Sequence, residues 1–367
     1  MIPGSLLTKR DFFITALVFI FLCITIIGFL AIQHQQTETE EEIQSELSTI
    51  AELKAGSIAD WYHERRSDAE VARKNTMLRE YLENLKNPGT YEVTKEDMTA
   101  WMRSLVSNYQ YKRIILLESS GNQVLSVPDN ETISSFSYQS IYPEILRSDG
   151  PVSTDLFLDP DSGEKKLEFW VPIRSKSGEE LLGILVLQLN PEQYLYPLIQ
   201  TWPSVSKSAE SLITRQTNGQ MLFLNDLRHL PDSGLTFTIP VTMEDVPAVM
   251  AAKGYRGIVK GNDYRGIPVV ASITNITGTP WFIVAKVDQD EIYTPFRNFS
   301  MSVLGLLFLL FVCASVLVLF FRKKWETDLI NLELNQQKQE IFLAGRVRSL
   351  MQQANDAIII LDDDYRI

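Results

Sequence analysis

Residues equipped for bond-making chemistry are scarce in this chain. The three histidines, His34, His63 and His229, lie far apart and lack the short spacing that brings two imidazoles to one metal ion. The two cysteines, Cys23 and Cys313, both fall inside long apolar runs. No Gly-rich phosphate loop, kinase nucleotide box or Cys–His pair occurs. Asp263-Tyr264-Arg265-Gly266 sets an acid and a base beside a glycine at a strand start, and reads as a structural corner. No catalytic residue, metal or cofactor is expected within the chain. A pocket of apolar walls with a few placed polar groups is the better candidate for function.

The elements that must hold such a pocket are framed by two apolar runs. Phe12–Ile32 and Phe299–Phe321 span 21 and 23 residues without a charge, enough to cross a bilayer core of roughly 30 Å as helix. A signal peptide has an apolar part of about 7–15 residues closed by a small-x-small site, so the first run reads as a retained anchor. Lys9 and Arg10 precede it, and Arg322, Lys323 and Lys324 follow the second. By the positive-inside rule both termini are cytoplasmic and residues 34–298 lie outside, making a cell-membrane protein with two spans. That outer segment has 25 Lys and Arg against 37 Asp and Glu, the whole −12 of the chain. So acidic a surface argues against nucleic acid as a partner. It holds no cysteine, so no disulfide staples it.

Residues 34–75 read as one stalk helix, with Ile43, Leu47, Ile50, Ile58, Trp61 and Tyr62 on one stripe. Helix continues to about Val106, broken at Asn87-Pro88-Gly89. The pattern then turns to strands at Arg113–Glu118 and Gln123–Val127, a helical patch at Tyr138–Arg147, and strands at Val152–Leu158, Lys166–Ile173 and Leu181–Leu189. That order predicts a five-stranded antiparallel sheet covered by helices. A shorter set follows at Ser211–Arg215, Gly219–Leu224, Arg256–Lys260, Ile267–Thr274 and Trp281–Val287. Inside the cell, 322–350 reads as a signalling helix with a weak heptad through Trp325, Leu329, Leu332, Leu343 and Leu350. Residues 357–361, apolar and followed by Asp362–Asp364, read as the first strand of a further domain.

Three stretches resemble the double Cache (dCache) sensor region of prokaryotic receptors. They are Ser57–Asn75 with its Trp, Arg and Asp, Thr154–Asn190, and Gly254–Phe296. The last, GYRGIVKGNDYRGIPVVASITNITGTPWFIVAKVDQDEIYTPF, is the most specific. Met351–Ile367 resembles the opening of a cytoplasmic PAS domain. The resemblance implies an α+β membrane protein with two transmembrane helices, a long N-terminal stalk helix and two PAS-like antiparallel-sheet modules outside. Its parts are a cytoplasmic 1–11, a span at 12–32, the stalk at 34–75, a membrane-distal module at 76–195, a membrane-proximal module at 196–298, a span at 299–321, a signalling helix at 322–350 and a PAS start at 351–367.

In that family the ligand sits in the distal module. On matched positions the implied pocket residues are Tyr142, Asp155, Phe157, Phe169 and Val171. Amino-acid-binding members carry an Arg-x-Trp-Tyr run before these strands, its Arg gripping a carboxylate. Here the region reads SSFSYQSIY, so the ligand class stays open among a small carboxylate, an amine and another metabolite. The implied partners are a small molecule outside, the membrane and a second copy of the chain. The expected activity is signal reception, relayed to a PAS and an output module such as a histidine kinase or diguanylate cyclase. The alternative is a membrane-anchored binding protein with no output.

Overall fold

The computed structural model describes residues 4–89, 92–129 and 133–363. The chain divides into two units, one made of the segments up to Gln36 and from Phe296, the other of Thr37–Pro295. Helix α1, Gly4–Arg73, contains no proline. From Thr37 on, its predicted stripe is the face that packs: Leu47, Ile50, Ile58 and Trp61 are buried, with Ile43 and Tyr62 packed beside them. Two short helices follow. For α2, Thr76–Lys86, the Asn75 side chain accepts from Leu78 N. For α3, Lys95–Tyr109, Thr94 and Asp97 form a capping box. Each cap satisfies amide donors that a helix start leaves unbonded.

Two antiparallel sheets pack in the second unit. The first holds β1 (Arg113–Glu118), β2 (Gln123–Val127), β3 (Val152–Ser153), β4 (Phe157–Leu158), β5 (Lys165–Arg174) and β6 (Leu181–Leu189), in the order β2-β1-β6-β5-β3, with β4 also on β5. Helix α4, Ser135–Ile145, lies between β2 and β3 in sequence. The predicted strand Val152–Leu158 lies at the edge of the sheet and is broken in two. Thr154 is the cause: its hydroxyl accepts from Glu168 N at 2.8 Å, so a side chain replaces one backbone link of the ladder. Asp155 then bonds the amide of Leu156 at 2.7 Å and turns the chain.

The second sheet holds β7 (Glu210–Thr217), β8 (Gln220–Phe223), β9 (Thr238–Pro240), β10 (Gly257–Asn262), β11 (Pro268–Asn275) and β12 (Phe282–Asp288), ordered β10-β11-β12-β7-β8-β9. Helix α5, Leu195–Gln200, joins the sheets. Strand β9 and helix α6, Pro247–Ala252, occupy a stretch that reads as loop. Three and six residues are too short to show a period. Lys54 of α1 is buried at the end of α5 and donates to the carbonyls of Leu198, Ile199 and Thr201 at 2.9, 2.6 and 2.5 Å. Burial pulls the pKa of this lysine down to about 8.

Successive strand residues face opposite sides, and that splits the core. One face of each sheet joins a cluster with α1. The other face of the first sheet packs under α4 through Ile115, Leu117, Trp170, Ile184 and Val186. The other face of the second packs under α6 through Leu212, Met221, Phe223, Ala271 and Val284.

Helix α7 runs Gln289–Asp363 and contains both the second apolar run and the inner helix expected from sequence. In the first unit, the Phe21 and Phe311 rings lie 5.1 Å apart. A Cβ added to Gly28 would stand 3.1 Å from Leu307, so glycine there allows close approach. The strand expected at 357–361 is instead the last turns of α7, and residues 364–367 lie outside the described residues. A strand needs a neighbour for its amides, whereas a helix bonds its own.

Candidate functional site

The face beneath α4 carries polar side chains where an apolar layer would be expected. Register places Arg113, Gln188 and Glu168 in one row across β1, β6 and β5. All three are buried. The Glu168 carboxylate accepts from Trp170 Nε1 at 3.0 Å and from Gln188 Nε2 at 2.8 Å. A carboxylate accepts and does not donate, so the amide NH₂ must face it and Gln188 Oε1 points elsewhere. Oε1 is buried with no hydrogen-bond partner among the described residues, and so is Oγ of Ser137 on α4. Leaving such an atom unsatisfied costs about 1–3 kcal/mol. Gln188 lies in the buried row and Ser137 on α4, and no described group satisfies either atom.

Helix α4 is held at two places. At its N-terminus Ser134 Oγ donates to Asp159 at 2.6 Å, and Asp161 accepts from Ser135 N at 3.2 Å. Two carboxylates there also suit the positive end of the helix dipole. Asp159 is buried and pairs with Lys166 at 2.5 Å. Burial alone would raise its pKa, but the bonds from Lys166, Ser134 and Ser162 outweigh that and hold it well below the usual range. Along the helix, Tyr138 and Tyr142 stack at 4.6 Å. Their hydroxyls donate to the carbonyls of Ser120 and Ser119 at 3.3 and 2.7 Å, in the turn between β1 and β2. Gly121 in that turn has φ +90°, and a Cβ there would come within 2.1 Å of the Tyr138 hydroxyl.

The five residues expected from sequence do not share one cavity. Tyr142 lies on α4, on the near side. Phe157 sits on β4 with its ring 5.5 Å from Phe136 of α4. Phe169 and Val171 face the opposite side with α1, Phe169 at 5.5 Å from the Tyr62 ring. Asp155 leaves the distal sheet altogether. It accepts from Trp281 Nε1 at 2.7 Å and pairs with Arg215, both in the proximal module. Sequence reasoning missed Arg113, Ser137, Glu168, Trp170 and Gln188. The signal was present for two of them: one carboxylate inside KKLEFWVPI and one amide inside LLGILVLQL, each alone in a run that is otherwise apolar toward its centre.

The proximal face beneath α6 also has a polar row, and this one is closed. Lys286 donates to Asp263 and pairs with Glu210 at 2.8 and 2.9 Å. Tyr264 OH donates to Glu210 at 3.1 Å, and its ring lies 5.1 Å from Lys286 Nζ. Arg265 joins Asp263 to Asp288. Burial pushes Asp263 up, but Lys286 and Arg265 prevail and hold it below the usual range. The Asp263–Gly266 corner is thus tied into the core. Just beyond it, Glu291 in the first turn of α7 accepts from Ser206 Oγ, Lys207 N and Ser208 N at 2.9, 3.0 and 2.8 Å, and from Ser208 Oγ. Burial opposes ionisation of Glu291, yet these donors lower its pKa to about 2. Among the described residues no group of three His, Cys, Asp or Glu side chains is placed to hold a metal ion.

The family model described as Cache domain matches residues 32–296. The ligand-binding domain of Mlp24 with asparagine superposes with a TM-score of 0.50 at 13% identity, over 71% of this chain and 98% of that one. The ligand-binding domain of the Pseudomonas aeruginosa amino-acid chemoreceptor PctC, in complex with GABA, gives 0.48 at 17% identity over 67% and 100%. That of PctB from the same organism, in complex with L-Gln, gives 0.49 at 15% over 71% and 96%. No curated protein matches the chain.

Proposed function

Because the chain belongs to the Cache domain family, with helices long and apolar enough to cross a membrane on both sides of the matched region, we propose that it is the sensing part of a transmembrane receptor. Its ligand is a small extracytoplasmic molecule held between α4 and the distal sheet. The observation that carries this is the pair of buried, unsatisfied atoms Gln188 Oε1 and Ser137 Oγ beneath α4. Gln188 Oε1 only accepts, so the ligand presents an N–H or O–H group to it. That requirement suits an amine, an amide or a hydroxylated metabolite. Amino acids, the ligands named for the Mlp24 and PctB complexes, carry such a group and belong on the panel.

The dimer, the cytoplasmic placement of both termini and the output complete the reading. Lys9 and Arg10, and Arg322–Lys324, support the orientation. The likeness of Met351–Ile367 to a PAS opening supports a cytoplasmic relay, ending in a histidine kinase or a diguanylate cyclase. Ligand binding shifts the balance between two states of the sensor, by as much as its affinity for the two differs.

A thermal-shift screen of residues 34–298 against amines, amino acids, organic acids and nucleobases tests the sensor. A ligand at 100 times its dissociation constant adds about 2.7 kcal/mol. A hit whose shift disappears in Gln188→Leu supports the site. A hit indifferent to Gln188→Leu and Ser137→Ala overturns it, and a stable domain that answers to nothing on the panel counts against small-molecule sensing.

A further inference from the structure

Asp155 is a distal residue committed to the proximal module, as Lys165 is through Asp226. It lies between β3 and β4 at the edge of the distal sheet. Just before it, Val152 packs into the cluster beneath α4 with Ile141, Ile145 and Tyr142. The segment Val152–Asp155 therefore touches the α4 side at one end and Trp281 at the other. Trp281 is almost wholly buried. Its indole N–H goes to Asp155, and the Tyr62 ring meets it edge-on at 5.8 Å. Tyr62 in turn bonds Ser153 Oγ at 2.5 Å and packs on Phe169. One side chain of α1, two residues of the distal edge and the first residue before β12 thus form a single junction.

The chain beyond Trp281 makes the junction consequential. Strand β12 is paired on both sides, with β11 and with β7. It leads straight into α7, whose first turn is fixed by Glu291 and its four donors. Asp288, the last residue of β12, bonds Ser208 Oγ through its amide at 3.0 Å. A strand laddered on both edges moves as one piece more readily than it stretches.

We propose that Asp155 is the positioning residue that couples the two modules: it passes a displacement of α4 and the distal edge to Trp281, and β12 carries it to the start of α7. This coupling works in the same way whichever small molecule starts it.

The test needs no ligand. In the full chain in lipid nanodiscs, Tyr138→Phe with Tyr142→Phe removes both hydroxyls that fasten α4 to the β1–β2 turn. Hydrogen–deuterium exchange is then followed in α4 and, separately, in β12 and residues 289–294. The expected result is faster exchange at both places, by about fivefold in the second. In a Trp281→Phe background, which keeps a ring but loses the N–H donor, α4 still loosens and the response at 289–294 disappears. Asp155→Ala removes the acceptor and also the pairing with Arg215 of β7, and the response disappears there too. A purely structural role for the junction would raise the basal exchange yet leave the response to α4 intact, and that outcome overturns the proposal. So does an unchanged 289–294 segment when α4 is loosened in the otherwise native chain. Either failure leaves the ligand screen free to succeed, so the coupling and the sensing are judged separately.

Discussion

The two sheets of this protein are built on one plan and finished differently. Written from the matching end and setting aside β9 at its edge, the second sheet runs β8-β7-β12-β11-β10, the same connectivity as β2-β1-β6-β5-β3 in the first. Each has a short helix over the face turned from α1. Position then matches position: Arg113, Gln188 and Glu168 in the distal row stand where Glu210, Lys286 and Ala271 stand in the proximal row. The proximal row is closed from within, because Lys286 reaches two carboxylates and Tyr264 covers them. In the distal row Gln188 Oε1 has no partner among the described residues, whereas the unpartnered Thr214 Oγ1 of the second sheet lies outside its row. The plan is shared, and the difference lies in a few side chains at one end of the sheet.

Breaking the proximal closure should have the largest effect. Lys286→Met leaves Glu210 buried without its cation and Asp263 with Arg265 alone, and is expected to lower stability by about 3–5 kcal/mol in chemical denaturation. Next comes the distal turn. Gly121→Ala meets both an unfavourable φ and the Tyr138 hydroxyl, and should cost about 2–3 kcal/mol, with α4 amides exchanging faster. Third is the lock on α7. Glu291→Gln should lower stability at pH 7 by about 1–2 kcal/mol. The sign with pH follows from its lowered pKa: the ionised group binds fewer protons folded than unfolded, so its contribution is complete above about 4.5 and fades as pH falls toward 2. Melting curves of the two forms should therefore converge over that interval. The smallest change is expected at Ser137→Ala. Removing an unsatisfied buried hydroxyl should leave the melting temperature unchanged or raise stability by up to about 1 kcal/mol. A clear loss there would mean the distal row is as closed as the proximal one, and would dissolve the contrast.

How much of this is legible in the sequence varies with the physics involved. The stripe Leu47–Ile50–Ile58–Trp61 is plain because a helix repeats its pattern over many turns. The long strands are plain as well, and turn residues mark their ends. The edge strand fails at Thr154, where a hydroxyl intrudes on the ladder, and no local pattern announces that. The site is mostly hidden for a different reason. Every residue of Lys165–Arg174 lies in a strand buried on both faces, so alternation carries no message about which side a residue takes. Resemblance points to Phe169 and Val171, but the parity of the strand turns Glu168 and Trp170 toward α4 instead. Resemblance picks out Asp155 as a ligand contact, while its hydrogen-bond partner Trp281 lies 126 residues away. The final apolar run, 357–361, has strand composition and helical structure.

Helix α1 also bears on the order in which the chain can assemble. Its stripe is made first, yet it belongs to a core completed by Leu195, Ile213, Trp281, Ile283 and Ile292. Lys54 waits for carbonyls about 145 residues later, and Glu40 receives the hydroxyl of Tyr293 across 253 residues. Such distant closures slow folding and lengthen the time apolar surface stands exposed. The first sheet can settle on α1 while synthesis continues. The part of α1 that packs with the second sheet stays uncovered until β12 arrives, and this is the interval in which a nascent chain would most need a chaperone.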